Sequence, residues 1–166
     1  MKILITGGAG FVGSNLAIEF KKSNKDIDVT VIDNLKRRGS ELNLPRLKQN
    51  NIEFFHGDIR NKEDFEAAGK ADVLIECSAE PSVMAGYNSS PDYLLNTNLL
   101  GTINCLEYTR KCGADIIFLS TSRVYPVKTI NNLNFIEKPT RFELSKNQDV
   151  PGVSLKGFSE DFPLKG

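Results

Sequence analysis

The sequence predicts an α/β fold: a parallel sheet wound with helices on both faces. Three observations carry this. Five short apolar segments alternate with helix-like segments over residues 1 to 125, and such alternation joins parallel strands through right-handed helical crossovers. The first segment, Ile3-Leu4-Ile5, is a continuous apolar run that opens into Gly7-Gly8-Ala9-Gly10-Phe11-Val12-Gly13. The second, Val29-Thr30-Val31-Ile32, ends in Asp33, 20 residues past Gly13.

The elements follow in order. A first helix is expected over 11–22, with Val12, Leu16, Ala17 and Phe20 at helical spacing. The second strand spans 28–33. A short helix near 40–49 carries Pro45 early, and the third strand covers 52–56. Asn61 can cap a helix reaching Ala68. The fourth strand spans 72–77, and Pro81 and Pro91 break the loop after it. The longest helix is expected over 93–112, with Leu95, Leu99, Ile103, Leu106 and Thr109 on its inner stripe. Gly113 ends it, and the fifth strand is 115–119. From Pro126 onward, 41 residues hold four of the seven prolines and 11 charged residues, with no clear period. The domains predicted are therefore 1–125 and a segment 126–166.

The glycine stretch has the spacing of a dinucleotide-binding turn. Gly7 permits a tight turn, Gly10 lets backbone approach a phosphate, and Gly13 lets the helix press on the strand. Free N–H groups and the positive end of the helix dipole then face a pyrophosphate. Three glycines alone would fit a plain strand-to-helix turn. The strand before them and the acid after them favour a nucleotide site. Asp33 would accept bonds from adenosine ribose hydroxyls and repel a 2′-phosphate, which prefers NAD over NADP. Lys36, Arg37 and Arg38 counter that, since cations could neutralise a 2′-phosphate. The fold is thus of Rossmann type, with strand order 3-2-1-4-5. Ligands bind such sheets at the strands' carboxyl ends, which here are 7–13, 33–35, 58–59, 77–83 and 120–125.

Basic and acidic residues number 21 each, so the net charge is zero. A nucleic-acid or membrane-surface role, which needs a basic excess, is not expected. No apolar run is long enough to span a bilayer, and the chain opens on a strand rather than a signal peptide. Cys77, Cys105 and Cys112 have no metal-ligand spacing, so no metal is expected. Cys105 and Cys112 read as small core residues. A reducing cytoplasm fits. The lone His56 closes an apolar strand and reads as structural.

Several stretches together resemble one family. They are Thr6-Gly7-Gly8-Ala9-Gly10-Phe11-Val12-Gly13, Asp33-Asn34-Leu35, Gly57-Asp58-Ile59-Arg60, Asn96-Thr97-Asn98-Leu99-Leu100-Gly101-Thr102 and Ser120-Thr121-Ser122-Arg123-Val124-Tyr125. Their order over residues 1 to 125 resembles the extended short-chain dehydrogenase/reductases, the NAD-dependent sugar-nucleotide epimerases and dehydratases. Asp33-Asn34-Leu35 with following basic residues and Gly39, and the run 120–125, resemble most the members acting at C2 of a CDP-deoxysugar. The resemblance implies NAD as cofactor, a CDP- or UDP-sugar as substrate, and a homo-oligomer in the full-length enzyme. It implies that Phe11 and Val12 give N–H groups to the pyrophosphate and that Asp33 and Asn34 serve the ribose. Asp58 and Ile59 would flank adenine. Residues 77–81, with Cys77, Ser78, Ala79 and Glu80 among them, would line the pyrophosphate and nicotinamide-ribose side, and Asn98 would bond inside the site. Read singly, Asp58 would be a helix cap, Asn98 a surface polar residue, and Phe11 and Ile59 core.

The same resemblance implies a chemistry. A tyrosine whose free pKa of about 10 is lowered by a lysine four residues on would take a sugar hydroxyl proton, with hydride passing to NAD. Thr121 matches the hydroxyl that bonds the same sugar oxygen. The family's 4,6-dehydratases carry an Asp and a Glu where this chain has Ser122 and Arg123, and neither is a comparable acid or base. That favours an epimerase; Arg123 either touches substrate or is solvated. None of Tyr87, Tyr93, Tyr108 and Tyr125 has lysine four places on. The resemblance therefore implies an amino-terminal portion of a longer enzyme, inactive alone, with 1–125 the first part of its NAD-binding domain, the sheet incomplete on its C-terminal side, and 126–166 a substrate-side insertion leading to the missing part. The alternatives are a UDP-sugar 4-epimerase, a related decarboxylase or dehydratase, and a non-catalytic nucleotide-binding module.

Overall fold

The computed structural model describes residues 1–121 and 124–165. The chain forms two compact units, Met1–Leu119 and the residues from Ser120 onward.

The first unit is a five-stranded parallel sheet in the order β3-β2-β1-β4-β5, as the strand pattern predicted. Its strands are β1 (Lys2–Thr6), β2 (Asp28–Asp33), β3 (Glu53–His56), β4 (Val73–Glu76) and β5 (Asp115–Phe118). Register runs Ile3–Val29, Ile5–Val31 on one side of β1 and Leu4–Leu74, Ile5–Ile75 on the other. Side chains alternate across the sheet, so each strand feeds two cores. Ile3, Ile5, Val29, Val31 and Ile75 pack with Ala17, Ile18 and Leu47 from helices α1 (Phe11–Ser23) and α2 (Leu44–Gln49). Leu4, Ile32 and Leu74 pack on the opposite face with Phe65, Ala68, Cys105 and Tyr108. Those come from α3 (Lys62–Ala68) and α5 (Gly101–Cys112).

The long helical stretch differs from expectation. It consists of α4 (Asp92–Leu94), a π-helical segment Leu95–Leu100, and α5. The expected inner stripe faces outward: Leu95, Leu99, Ile103 and Leu106 are each about half exposed. Of that stripe only Thr109 is buried; Thr97, Gly101, Asn104, Cys105 and Tyr108 take the inner face with it. Close approach explains the choice, because a Cβ on Gly101 would strike the Ile59 side chain. Polar anchors fix the rotation. Asn104 Nδ2 donates to the carbonyls of Ile59 and Arg60 at 2.9 and 3.0 Å, and the Tyr108 hydroxyl donates to the Gly69 carbonyl at 2.7 Å. The edge strand β5 also carries half-exposed Ile117 and Phe118.

The second unit was expected to lack regular elements. It holds a short helix α6 (Val127–Asn131) and two antiparallel pairs. These are β6 (Phe135–Glu137) with β7 (Phe142–Leu144), and β8 (Val153–Ser154) with β9 (Gly157–Phe158). Tyr125, Phe158 and Phe162 cluster with ring centroids 4.7 to 5.3 Å apart. Aromatic contacts of this kind order a stretch whose short strands leave no readable period.

Candidate functional site

A cavity of about 480 Å³ lies at the carboxyl ends of the strands in the first unit. Its wall includes Gly7, Gly10, Phe11, Val12 and Gly13 after β1, Asp33 and Asn34 at the end of β2, Ile59 after β3, and Cys77, Ser78, Ala79 and Glu80 after β4. The expected residues from four distant stretches thus meet at one place.

The glycine turn is built for close approach. Gly7 has φ +62°, and a Cβ there would lie 2.7 Å from the Cys77 carbonyl oxygen. A Cβ on Gly13 would strike the Gly7 carbonyl oxygen. Helix α1 begins at Phe11 behind an extended Gly10, with no side-chain cap and no acid in its first turn. Its leading N–H groups and positive dipole end are left for an anion.

Side chains hold this turn in place. Asp33 Oδ2 accepts the Ala9 N–H at 3.0 Å, and Oδ1 accepts the Leu35 N–H at 2.8 Å. The second bond supports Leu35 at φ +52°, a left-handed conformation that costs a non-glycine residue about 1–2 kcal/mol. Each Asp33 oxygen keeps a further lone pair for a ligand hydroxyl. Asn43 Nδ2 donates to the Ala9 carbonyl at 2.8 Å. Arg46 in turn donates to Asn43 Oδ1 and Asn15 Oδ1 at 2.7 and 2.9 Å.

Two expected ligand contacts are not on the cavity wall. Asp58 was expected to accept from adenine, yet its carboxylate is already filled. Oδ1 accepts Arg60 N–H and Nε–H at 3.0 and 2.9 Å, and Oδ2 accepts Arg60 Nη2 and Asn34 Nδ2 at 2.6 and 2.9 Å. Burial pushes this carboxyl up, but the bonds from Arg60 and Asn34 outweigh it and hold the pKa at about 2. Asn98 was expected to bond within the site, but it is exposed and grips backbone. Its Oδ1 accepts the Glu80 N–H at 2.8 Å and its Nδ2 donates to the Glu80 carbonyl at 3.1 Å. Both residues therefore shape the wall from behind. Thr121 is exposed and belongs to the second unit. Ser122 and Arg123 lie outside the described residues.

Sequence reasoning missed three groups. Thr97 lines the cavity, is buried, and has a hydroxyl oxygen without a hydrogen-bond partner. Tyr93 also lines it, with Lys36 Nζ 3.9 Å from the ring centroid and the Arg60 guanidinium 5.2 Å away. Glu76 is 2% exposed at the end of β4. Burial pushes its carboxyl up to about 7, against bonds from the Ser78 N–H and the Thr6 hydroxyl. The Asn-Thr-Asn run marked Thr97 as part of a motif without giving it a role; nothing local marked the other two.

These features fit a dinucleotide. Backbone comes close where a diphosphate would lie, a helix N-terminus is uncapped, an acid ends β2, and an orphaned hydroxyl faces the void. Among the described residues no cluster of His, Cys, Asp or Glu could hold a metal ion, and no helix is long and apolar enough to cross a membrane.

Comparisons with known proteins agree with this geometry. Residues 3–146 match the model of the NAD dependent epimerase/dehydratase family. The CDP-paratose 2-epimerase of Salmonella typhi is 36% identical over 99% of this chain and 52% of its own length. A bifunctional UDP-glucose and UDP-xylose 4-epimerase of Pisum sativum is 33% identical over 75% of this chain and 37% of its own. Among solved structures, Bacillus cereus UDP-glucuronic acid 4-epimerase, in complex with UDP-glucuronic acid and NAD, superposes with TM-score 0.65. It shows 28% identity and covers 76% of this chain and 42% of its own. UDP-glucose 4-epimerase of Bifidobacterium longum, with NAD⁺ and UDP, gives TM-score 0.65 at 29% identity, covering 75% and 38%. The chain spans about half the length, or less, of the curated relatives it matches. With a family match over most of its residues, and a parallel sheet and glycine turn to support it, the chain belongs to the NAD dependent epimerase/dehydratase family.

Proposed function

We infer that this chain is the NAD-binding part of a sugar-nucleotide epimerase, acting at C2 of a CDP-deoxysugar in the whole enzyme. The observation that carries the cofactor is the uncapped start of α1 behind the glycine turn. Gly10, Phe11 and Val12 would present backbone to the pyrophosphate, Asp33 would accept from the adenosine ribose, and Ile59 would pack on adenine. Thr97 would find in the ligand the partner its hydroxyl lacks. NAD, when bound, supplies a reversible hydride acceptor, which lets a sugar carbon pass through a ketone and be reduced again on its other face. Thr121 would bond the reacting hydroxyl.

The C2 and CDP assignment rests on likeness to the Salmonella typhi protein, which spans nearly the whole of this chain. The 4-epimerase and decarboxylase readings rest on relatives that cover three quarters of it. A specific observation favours a second class, a non-catalytic nucleotide-binding module. Tyr108 is buried with its hydroxyl on a carbonyl and its pKa pushed up by burial, and no tyrosine has lysine four residues on. In the enzyme reading, by contrast, the tyrosine–lysine pair would come from residues beyond this sequence. The outward stripe of Leu95, Leu99, Ile103 and Leu106 is the face we assign to a second copy in the whole enzyme.

Calorimetry with NAD and NADP tests the cofactor. NAD is expected to bind, and Asp33→Asn to weaken it roughly tenfold or more, the worth of a bond to a charged group. Equal heats for both proteins would remove Asp33 from the site. Reading the gene beyond Gly166 for a Tyr-x-x-x-Lys separates the enzyme from the module.

A further inference from the structure

Glu76 is buried without a counter-charge. A carboxylate in that position is costly, so such groups are paired or neutral. Among the described residues no ion pair includes it. Its partners are neutral, the Thr6 hydroxyl at 3.4 Å and the Ser78 N–H at 2.8 Å, and both donate to Oε1. That pattern suits the carbonyl oxygen of a protonated carboxyl, with the proton on Oε2. Thr6 Oγ1 also accepts the Cys77 N–H at 3.2 Å. The group therefore ties the end of β1 to the segment leaving β4. Both continue directly into the cavity wall, as Gly7 on one side and Cys77 and Ser78 on the other. The titratable groups that act on it are Cys77 next in the chain and Cys105 on α5. Burial pushes the Cys77 thiol up to about 12 and raises that of Cys105 too, so both stay neutral and neither offers a positive charge.

We propose that Glu76 is a proton-dependent positioning residue of the dinucleotide site. Neutral, it braces the two walls; ionised, it sets an uncompensated negative charge beside the turn that receives an anionic diphosphate. Ligand binding and protonation are then linked, and the linkage is reciprocal. Bound dinucleotide favours the neutral carboxyl, and loss of the proton weakens binding. This deepens the NAD reading above and rests on it.

The test is calorimetric titration of the 166-residue chain with NAD from about pH 6 to about pH 8.5, the span in which such linkage acts. It uses buffers of different protonation enthalpy, on the natural protein and on Glu76→Gln. Glutamine keeps an oxygen for Thr6 and Ser78 and cannot ionise. The natural protein should lose about fivefold in affinity across this span, a modest linkage, and should take up protons on binding. The variant should do neither. His56 is common to both proteins, so the comparison isolates residue 76. The same pH dependence in both overturns the proposal, while binding by neither at any pH overturns the dinucleotide reading and takes the proposal with it. Should the variant not fold, the infrared band of the protonated carboxyl decides on the natural protein. A band that fades near neutrality, later with NAD present, supports the proposal; one already gone below about pH 5, as for an ordinary glutamate, overturns it.

Discussion

Replacing Asp58 by asparagine should weaken the fold while leaving dinucleotide affinity nearly intact. Its carboxyl ordinarily titrates at 3.8 and is held at about 2 in the folded chain. A shift of just under two units corresponds to roughly 2 kcal/mol. The Arg60 side chain is 34% exposed against 13% for Asp58, so solvent screening trims this to about 1–2 kcal/mol. Because the folded pKa lies below the unfolded one, the contribution is complete above 3.8 and vanishes as pH falls through about 2. Urea denaturation at neutral pH and again near the lower of these pKa values measures it. The expected result is a lower midpoint for Asp58→Asn at neutral pH, with unchanged slope, and a gap that narrows in acid. Equal stability at neutral pH would refute the argument that its four bonds brace the loop. So would a tenfold loss of NAD affinity without loss of stability, which would make Asp58 a ligand contact after all.

Thr97→Val keeps the shape and removes the orphaned hydroxyl, so thermal or urea stability should rise by about 1 kcal/mol while NAD affinity falls several-fold; a fall in both would mean the hydroxyl has a partner within the protein. Gly7→Ala forces a left-handed alanine against the Cys77 carbonyl and should cost at least about 2 kcal/mol, with NAD binding lost in titrations done below the new melting point. Asn98→Ala removes two bonds to the Glu80 backbone; hydrogen exchange at the Glu80 amide should quicken about fivefold, the worth of roughly 1 kcal/mol, and an unchanged rate would count against the clamp.

The sheet was legible because its signals are local. A covered parallel strand must read as an apolar run, a diphosphate turn needs glycine at close approach, and both are written in consecutive residues. The burial of α5 was not. Leu95, Leu99, Ile103 and Leu106 mark a helical stripe through the π-helical segment and α5 but not which way that stripe points, and the direction is decided by Gly101 against Ile59 and by Asn104 reaching carbonyls 44 and 45 residues away. The bonding of Asp58 was hidden for a similar reason. An acid at a strand end is visible in sequence, whereas Arg60 folding back to occupy it is a matter of rotamers. Glu76 follows the run Val73-Leu74-Ile75 within the expected strand, and nothing in the neighbouring residues marks it as an acid kept inside.

Two carboxyls behind the cavity are thus tuned in opposite directions, and the causes are structural rather than incidental. Asp58 and Glu76 both lose water, which disfavours charge in each. Asp58 recovers its charge because Arg60 can reach it from two residues away without leaving solvent entirely. Glu76 points into a face made of Leu4, Leu74 and Cys105, where no cation could be desolvated cheaply. Its folded pKa therefore lies above its unfolded one, and its contribution is complete below 4.5 and is lost as pH rises through about 7. Asp58 supports the fold above 3.8, so the two windows overlap only in mild acid. At neutral pH the wall that Asp58 and Arg60 support stays charged and fixed. The wall shared by Thr6, Glu76 and Ser78 stands close to its own titration, and it is the one that touches the glycine turn.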